Sequence, residues 1–234
     1  KAKLNLGSTV MNVHPVALVG SFIALDDSDD LKWLIVTNGQ LTFDAEGNDD
    51  PNSQYFSRVP HWPGGVSGIT IGRGYDLGQW DKATIKKDLT YAGIKEPLYS
   101  WLVNAQGLTG NAAKNHLQKA DPKITSTPIT RKQQYLLFEP VYEFMKNDVI
   151  RISDDTDNIE RYGELNWNKI NPLIQDVIID LRYRGDYHPP SRRILQKSFI
   201  ENDLDKIKEK ISNKYNWLNV KLDRFKRRAN YFKH

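Results

Sequence analysis

Residues 48–79 differ in composition from the rest of the chain, and this contrast constrains the fold more than any other feature. The segment holds six glycines, three prolines and several aromatic residues, a mixture typical of short strands joined by tight turns. After residue 80, apolar residues recur at the three- and four-residue spacing of amphipathic helices. The sequence therefore predicts an α+β fold, in which a small β-hairpin or sheet region is embedded in a mainly helical domain.

Candidate N-caps and the spacing of apolar residues predict where the helices begin and end. A strong helix begins after Thr130, with Pro140 expected to kink it, and another has Pro172 in its first turn. Upstream of the β region, Gly47 is expected to end a two-turn helix in a left-handed conformation. The predicted helical ranges are 31–35, 40–46, 131–146, 171–183, 191–200, 203–214 and 220–232, and a further helix begins at Asp81.

The first 25 residues show little helical spacing and are predicted to be extended. Residues 16–25 form an apolar run, but glycine and serine interrupt it and it is too short to cross a membrane. The run also lacks the layout of a signal peptide, so a strand or hairpin is the expected structure. We therefore predict an extended appendage at residues 1–29 and one main domain at residues 30–234.

Composition and charge exclude several classes of protein. The chain has no cysteine, which excludes a disulfide scaffold and a cysteine-type zinc site, and its five histidines show no metal-ligand spacing. We therefore expect no metal and no cofactor. The net charge is +4, but residues 188–234 hold 13 Lys and Arg against 5 Asp and Glu. This basic section favours an anionic partner or forms a solvated helical face, and it lacks the signature of a nucleic-acid-binding fold.

Two carboxylates are candidates for acid–base chemistry. Glu46 lies at a predicted helix end, facing an aromatic-rich loop that can desolvate it and keep it protonated. Thr70 alternates with two isoleucines and shares its strand face with the glycines at positions 72 and 74, so this face is expected to floor a cleft. Asp76 follows in a polar setting that favours its ionised form. Glycosidases use such a pair, and the alternative is an exposed Glu46 with no role.

The order of these residues resembles the phage-type lysozymes. Glu46-Gly47, an intervening β region and then Thr-Ile-Gly-x-Gly at 70–74 follow the pattern of that superfamily. The longer run Gly-x-Thr-x-Gly-x-Gly-x-Asp-Leu-Gly-Gln at 68–79 is similar to the pesticin-like muramidase domains of bacteriocins. The resemblance covers roughly residues 30–232 and is strongest at 43–79. Residues 175–185 resemble the buried central helix of these enzymes, and residues 224–232 resemble their Arg-rich terminal helix.

The resemblance implies a phage-lysozyme-like catalytic domain, in which the small β region forms one wall of the active-site cleft. It implies that Glu46 is the general acid, that the Thr70 hydroxyl positions the attacking water, and that Asp76 is the second acidic residue. Peptidoglycan would be the substrate.

The chain departs from the phage lysozymes at the second carboxylate. Those enzymes place it nine residues after the glutamate, where this chain has Tyr55. Asp49 and Asp50 lie in the same, longer loop and are alternatives to Asp76. Whether the reaction inverts or retains the anomeric configuration stays open, because it depends on the separation of the carboxyl groups.

Several side chains near the β region are candidates for binding substrate. Aromatic rings stack on the apolar faces of sugars, and arginine binds carboxylates such as those of the peptidoglycan peptides. The candidates are Tyr55, Trp62, Tyr75 and Trp80 among the aromatic residues and Arg73, Arg182, Arg184 and Arg193 among the arginines. For the aromatic residues the alternative is packing around the small sheet, and for the arginines it is a salt bridge within the fold.

The sequence hypothesis is a muramidase that cleaves between N-acetylmuramic acid and N-acetylglucosamine. By resemblance, it would be the lytic domain of an antibacterial toxin or secreted effector. Such a protein is made in the cytoplasm of its producer, is secreted or delivered into the periplasm of target bacteria, and has a cognate immunity protein as inhibitor. No membrane insertion and no nucleic-acid partner are expected. The alternatives are a non-catalytic peptidoglycan-binding module and a lytic transglycosylase, which needs only one carboxylate.

Overall fold

The computed structural model describes residues 26–233. The predicted extended segment 1–25 and the strand or hairpin at 16–25 lie outside the described residues. Residues 26–29 are bonded to the helical body: the carbonyl of Ser28 accepts a hydrogen bond from the Lys132 amide at 2.9 Å, and Asp29 pairs with Arg58 at 2.9 Å. These contacts connect residues 28 and 29 to the domain predicted at residues 30–234.

Within residues 26–233 the structure has eleven α-helices and one antiparallel sheet of two short strands. The helices are α1 (Gln40–Ala45), α2 (Lys82–Tyr91), α3 (Leu98–Asn104), α4 (Gly110–Gln118), α5 (Pro122–Thr125), α6 (Arg131–Ser153), α7 (Thr156–Tyr162), α8 (Pro172–Tyr183), α9 (Pro189–Ile200), α10 (Leu204–Ser212) and α11 (Leu222–Tyr231). The strands are β1 (Thr70–Ile71) and β2 (Tyr75–Asp76), with Thr70 opposite Asp76. Short 3-10 helices lie at Leu31–Leu34, Trp167–Lys169 and Lys214–Trp217. The prediction of a mainly helical α+β fold is confirmed.

Polar N-caps determine where the principal helices begin. The side chain of Asp81 accepts hydrogen bonds from the first free backbone amides of α2, and Asn171 does the same for α8. Thr130 and Gln133 form a reciprocal capping box at the start of α6. Helix α6 then runs through Pro140 and ends at Ser153, beyond the predicted end at 146. It extends because its last turns are also buried, with Val149 and Ser153 fully inaccessible to solvent.

The apolar core consists of two large clusters and a small one. The first cluster packs the β region, including Ile69 and Ile71, against helices α2 to α4. The second surrounds α8, whose buried residues include Ile174 and Ile178, and takes in α9, α10 and α11. The small third cluster contains Phe43 of α1 together with residues of α6 and α8. Helix α1, which carries the candidate acid at its end, is therefore anchored by core packing.

A buried charge network fixes α11 against α8. The carboxylate of Asp180, on α8, is inaccessible to solvent and pairs with two arginines of α11, Arg224 and Arg228. Arg228 also pairs with Asp186 at 2.7 Å. The hydroxyl of Thr42, on α1, donates to the same Asp180 carboxylate at 3.2 Å. One carboxylate therefore joins three helices that meet at the candidate site.

None of the helices described at residues 26–233 combines the length and the apolar character needed to cross a bilayer.

Candidate active site

A cleft of about 760 Å³ opens beside the C-terminal end of α1. One wall is the loop that follows α1, and the other is formed by α11 and the loop after α8. The first wall comprises Asp44, Ala45, Glu46, Gly47, Asn48, Gln54, Tyr55, Phe56, Ser57, His61, Trp62 and Pro63, and the second comprises Arg184, Lys221, Asp223, Arg224 and Arg227. The cleft thus brings together Glu46, Tyr55 and Trp62 of the predicted site residues, and it also includes the candidate Arg184.

Glu46 caps the C-terminus of α1 and points its carboxyl group into the cleft. Its backbone amide donates to the carbonyl of Thr42 at 3.0 Å, and only 23% of its side chain is exposed. Oε1 accepts a hydrogen bond from Nη1 of Arg224 at 2.8 Å. Burial raises the pKa of Glu46, and the positive charge of Arg224 opposes this shift without cancelling it. The carboxyl group therefore keeps its proton to a higher pH than an exposed glutamate does.

Thr70 and Asp76 lie beside the cleft and are not among its lining residues. Thr70 is 6% exposed, and its backbone amide and carbonyl pair with those of His61 at 2.8 and 2.9 Å. The Asp76 carboxylate accepts hydrogen bonds from the amides of Gly68 and Gly78, at 3.1 and 2.8 Å. The Asp76 carboxylate, which the sequence hypothesis placed at the substrate, therefore lies outside the lining of the cleft. His61, whose backbone pairs with Thr70, lines the cleft next to these two strands.

Gly74, one of the two glycines of the predicted cleft floor, makes room for a side chain of the protein itself. A Cβ atom built on Gly74 would come within 2.8 Å of the Tyr183 ring, and Gly74 has a φ of +86°. The hydroxyl of Tyr183 donates to the carbonyl of Arg73 at 2.6 Å. The bare backbone at position 74 thus admits a side chain of α8 and not a ligand, which corrects the expected floor.

Asp49 and Asp50, the alternative second carboxylates, do not line the cleft either. Asp49 pairs with Arg58 at 2.7 Å and with Arg131 at 2.6 Å. Asp50 accepts a hydrogen bond from the Asn52 amide in an exposed turn. These two carboxylates therefore hold the loop in its conformation, and neither is available at the cleft.

The aromatic candidates divide into two pairs. Tyr55, at 62% exposure, and Trp62 both line the cleft. Tyr75 is 1% exposed, and its hydroxyl donates to Asp88 at 2.9 Å in the interior. Trp80 stacks on Tyr75, with 6.0 Å between the ring centroids, and does not reach the cleft. For Tyr75 and Trp80 the structure therefore gives the alternative role, packing around the small sheet.

Arg73 supports the site from behind. It is 4% exposed, its guanidinium lies 4.4 Å from the centroid of the Phe43 ring, and it donates to the carbonyls of Phe43 and Gly47. Burial lowers its pKa to about 10, so it remains charged at neutral pH. Arg73 fixes the end of α1, which carries Glu46. Its role is therefore to position this end of the helix and not, as predicted, to contact substrate.

Sequence reasoning named Arg184 and missed the rest of the second wall of the cleft. Four of its five lining residues are basic, and three of them, Lys221, Arg224 and Arg227, come from the start of α11 and the residue before it. The basic section at 188–234 carried a signal for them, but their separation from Glu46 along the chain concealed the contact. In the described part of the chain, no group of three or more His, Asp or Glu residues is arranged to hold a metal ion.

A family model described as "Domain of unknown function (DUF8812)" matches residues 39–229. The chain belongs to this family. The DUF8812 match begins at the N-cap of α1 and ends within α11, so it includes both walls of the cleft. No curated protein matches the chain.

A Glu46→Gln variant of this DUF8812 domain is expected to gain stability relative to the wild type as pH rises. The folded-state pKa of Glu46 is raised, so the unfolded chain releases this proton at a lower pH than the folded chain. The contribution of Glu46 to stability is thus complete below its unfolded pKa and is lost as pH rises through the folded pKa. Urea denaturation of both proteins between about pH 4 and pH 7 measures the difference.

The exposed Glu164 provides the control for this titration, because Glu164→Gln makes the same chemical change outside the cleft. The Glu46→Gln difference is expected to grow with pH relative to that of this control. A Glu46→Gln difference that does not grow relative to the control, or that shrinks with rising pH, contradicts the raised pKa.

Proposed function

We propose that this DUF8812 domain is a muramidase, which hydrolyses the glycan strands of peptidoglycan between N-acetylmuramic acid and N-acetylglucosamine. The observation that carries the proposal is the carboxyl group of Glu46, part-buried in the cleft and with a raised pKa. A volume of about 760 Å³ lies within the range of sites that bind small molecules or short oligomers. The phage-lysozyme-like fold is part of the proposal, supported by the order of α1, the β region and the later helices.

The proposed role of Glu46 is that of general acid. Cleavage of a glycosidic bond needs a proton at the leaving oxygen, and a desolvated carboxyl group is suited to hold one near neutral pH. The resemblance of Glu46-Gly47 and of residues 68–79 to the pesticin-like muramidase domains supports the same role. Arg73 and Arg224 would position the acid from two sides.

The two walls of the cleft match the two chemistries of the proposed substrate. Tyr55 and Trp62 offer ring faces that can stack on sugars. Lys221 and Arg227, on the second wall, offer cationic groups for the carboxylates of the stem peptides, whereas Arg184 is paired with Asp186 at 2.7 Å. Peptidoglycan combines apolar sugar faces with acidic peptides, whereas a neutral polysaccharide would offer no anionic group to Lys221 and Arg227.

The biological setting follows from the resemblance alone. We propose that the domain is the lytic part of an antibacterial toxin or secreted effector, which acts in the periplasm of target bacteria. A producer of such a domain needs an immunity protein, and an acidic surface on that protein would fit the basic wall of the cleft.

A lytic transglycosylase is the second candidate, and the placement of Asp76 favours it. Within residues 26–233 the carboxylates that line the cleft are those of Asp44, Glu46 and Asp223, and Asp76 is not among them. A transglycosylase uses one carboxylate and closes the sugar on its own hydroxyl, so it needs no residue to activate water.

Product analysis of digested peptidoglycan tests the proposal. Purified sacculi are incubated with the full chain, and the soluble fragments are examined by mass spectrometry and by a reducing-end assay. We expect fragments that end in reducing N-acetylmuramic acid. Anhydro-muramic ends would identify the transglycosylase, reducing N-acetylglucosamine ends would place the cut at the other bond, and binding without release would identify a non-catalytic module.

A further inference from the structure

His61 lines the cleft, whereas Asp76, the second carboxylate that the sequence hypothesis expected, does not. It lines the cleft with Glu46, and its backbone pairs with Thr70 in an antiparallel bridge. Directly opposed residues of an antiparallel pair point to the same face of the sheet. Asp76 opposes Thr70 on the other side. His61, Thr70 and Asp76 therefore form a row across one face, with the imidazole at the cleft end.

The hydrogen bonding of the imidazole determines which ring nitrogen can accept a proton. Nδ1 of His61 lies 3.1 Å from the carbonyl oxygen of Val59. A carbonyl oxygen only accepts, so Nδ1 must carry the hydrogen and Nε2 must carry the lone pair. No donor among residues 26–233 occupies Nε2, and His61 lines the cleft.

The surroundings keep this imidazole neutral. Burial lowers the pKa of His61, and the hydrogen bond to Val59 and the charge of Asp76 oppose that shift. Burial raises the pKa of Glu46 at the same time. Both shifts act in the direction that favours a protonated Glu46 together with an unprotonated His61, as a general acid and a general base require. The other charged side chains that line the cleft are Asp44, Asp223, Arg184, Lys221, Arg224 and Arg227.

We propose that His61 is the general base of this domain and activates the water that attacks the sugar. The inference rests on the proposed muramidase function. Nε2 takes a proton from the water, and the water oxygen forms a bond to the anomeric carbon. The bond from that carbon to the leaving oxygen breaks, its electron pair passes to the oxygen, and Glu46 supplies the proton. Solvent then removes the proton from His61 and returns one to Glu46.

Thr70 completes the arrangement. Its side chain lies on the same strand face as the imidazole, and we assign its hydroxyl to the attacking water as part of the same proposal. The role that the resemblance implied for Thr70 is thus compatible with its position beside the cleft. Asp76, next in the row, acts on the imidazole through its charge and not on the substrate.

The test is the change of His61 to Asn, assayed on sacculi. Asn can still donate to the Val59 carbonyl and leaves the backbone bridge to Thr70 intact, but it has no basic nitrogen. We expect kcat/KM to fall by about 10²–10⁴-fold and the decline of activity toward acid pH to disappear. Sodium azide, a nucleophile that needs no deprotonation, is expected to restore cleavage and to give a glycosyl azide. His188→Asn is the matched control, because His188 caps α9 outside the cleft and Asn is a good N-cap.

The outcomes separate the inference from the function on which it rests. If the wild type releases no fragments from sacculi, the muramidase proposal fails and the base fails with it. If the wild type is active, Glu46→Gln is inactive and His61→Asn retains the wild-type rate, only the assignment of His61 is overturned. A slow His61→Asn variant that azide does not rescue, and whose pH profile keeps its acid limb, overturns it as well, because the histidine is then structural.

Discussion

Replacing Glu46 by Gln is expected to lower the rate of glycan cleavage by about 10²–10⁴-fold, the usual contribution of a general acid. Gln has the same shape and can still accept the hydrogen bond from Arg224 through its amide oxygen, but it has no proton to give to the leaving oxygen. The measurement is the release of reducing ends from purified sacculi per mole of folded protein. Circular dichroism and the denaturation curve establish that the variant is folded.

Glu164→Gln serves as the control for this loss, since Glu164 is exposed and lies outside the cleft. It should cleave at the wild-type rate. Substantial turnover by Glu46→Gln would remove the acid from its place in the mechanism. The stability measurement on the same variant is independent of activity, so a raised pKa at Glu46 can be checked even if sacculi are not the substrate.

Replacing Asp180 by Asn is expected to lower the free energy of unfolding by about 3–5 kcal/mol, the cost of breaking a buried ion pair from one side. Asp180 is inaccessible to solvent, and it pairs with Arg224 and Arg228, whose side chains are 8% and 2% exposed. The variant leaves both guanidinium groups buried with one carboxylate partner fewer. Urea denaturation at neutral pH measures the loss.

An exposed ion pair provides the comparison for Asp180. Glu201 and Lys197 lie 3.8 Å apart on α9 and its C-cap, with side chains 44% and 70% exposed. Glu201→Gln is expected to change stability little, because solvent screens such a pair. An Asp180→Asn variant as stable as Glu201→Gln would mean that Arg224 and Arg228 are held by their other partners, Glu46 and Asp186.

The sequence predicted those helices whose first residues are fixed by a capping side chain close by in the chain. Asp81, Thr130 and Asn171 cap helices that begin where the sequence indicates, because a cap acts on amides two or three residues away. Gly47, with a φ of +156°, does not adopt the left-handed cap that the sequence predicted. The sequence did not predict where the short helices α3, α4, α5 and α7 begin and end. Tertiary contacts support them, such as the stacking of Trp101 of α3 on His116 of α4 at 4.8 Å.

The candidate site was predictable only where its chemistry is local. Glu46 at the end of a helix follows from its neighbours in the sequence. Its partner Arg224 lies 178 residues away, and Gly74 is covered by Tyr183, more than a hundred residues downstream. Residue spacing carries no information about such contacts. The sequence therefore predicts Gly74 as part of a cleft floor for a ligand, although the Tyr183 ring covers it. The placement of His61 beside Thr70 needed the strand pairing.

Because Arg224 pairs with both Asp180 and Glu46, the packing of α11 against α8 and the pKa of Glu46 depend on the same guanidinium group. A substitution at Arg224 that strengthens the packing of α11 against α8 also changes the pKa of Glu46. A substitution there that is chosen to change the pKa of Glu46 also weakens that packing. Attempts to engineer a different pH optimum should therefore begin at Lys221, an exposed residue that lines the cleft, where charge can be altered without touching the shared guanidinium.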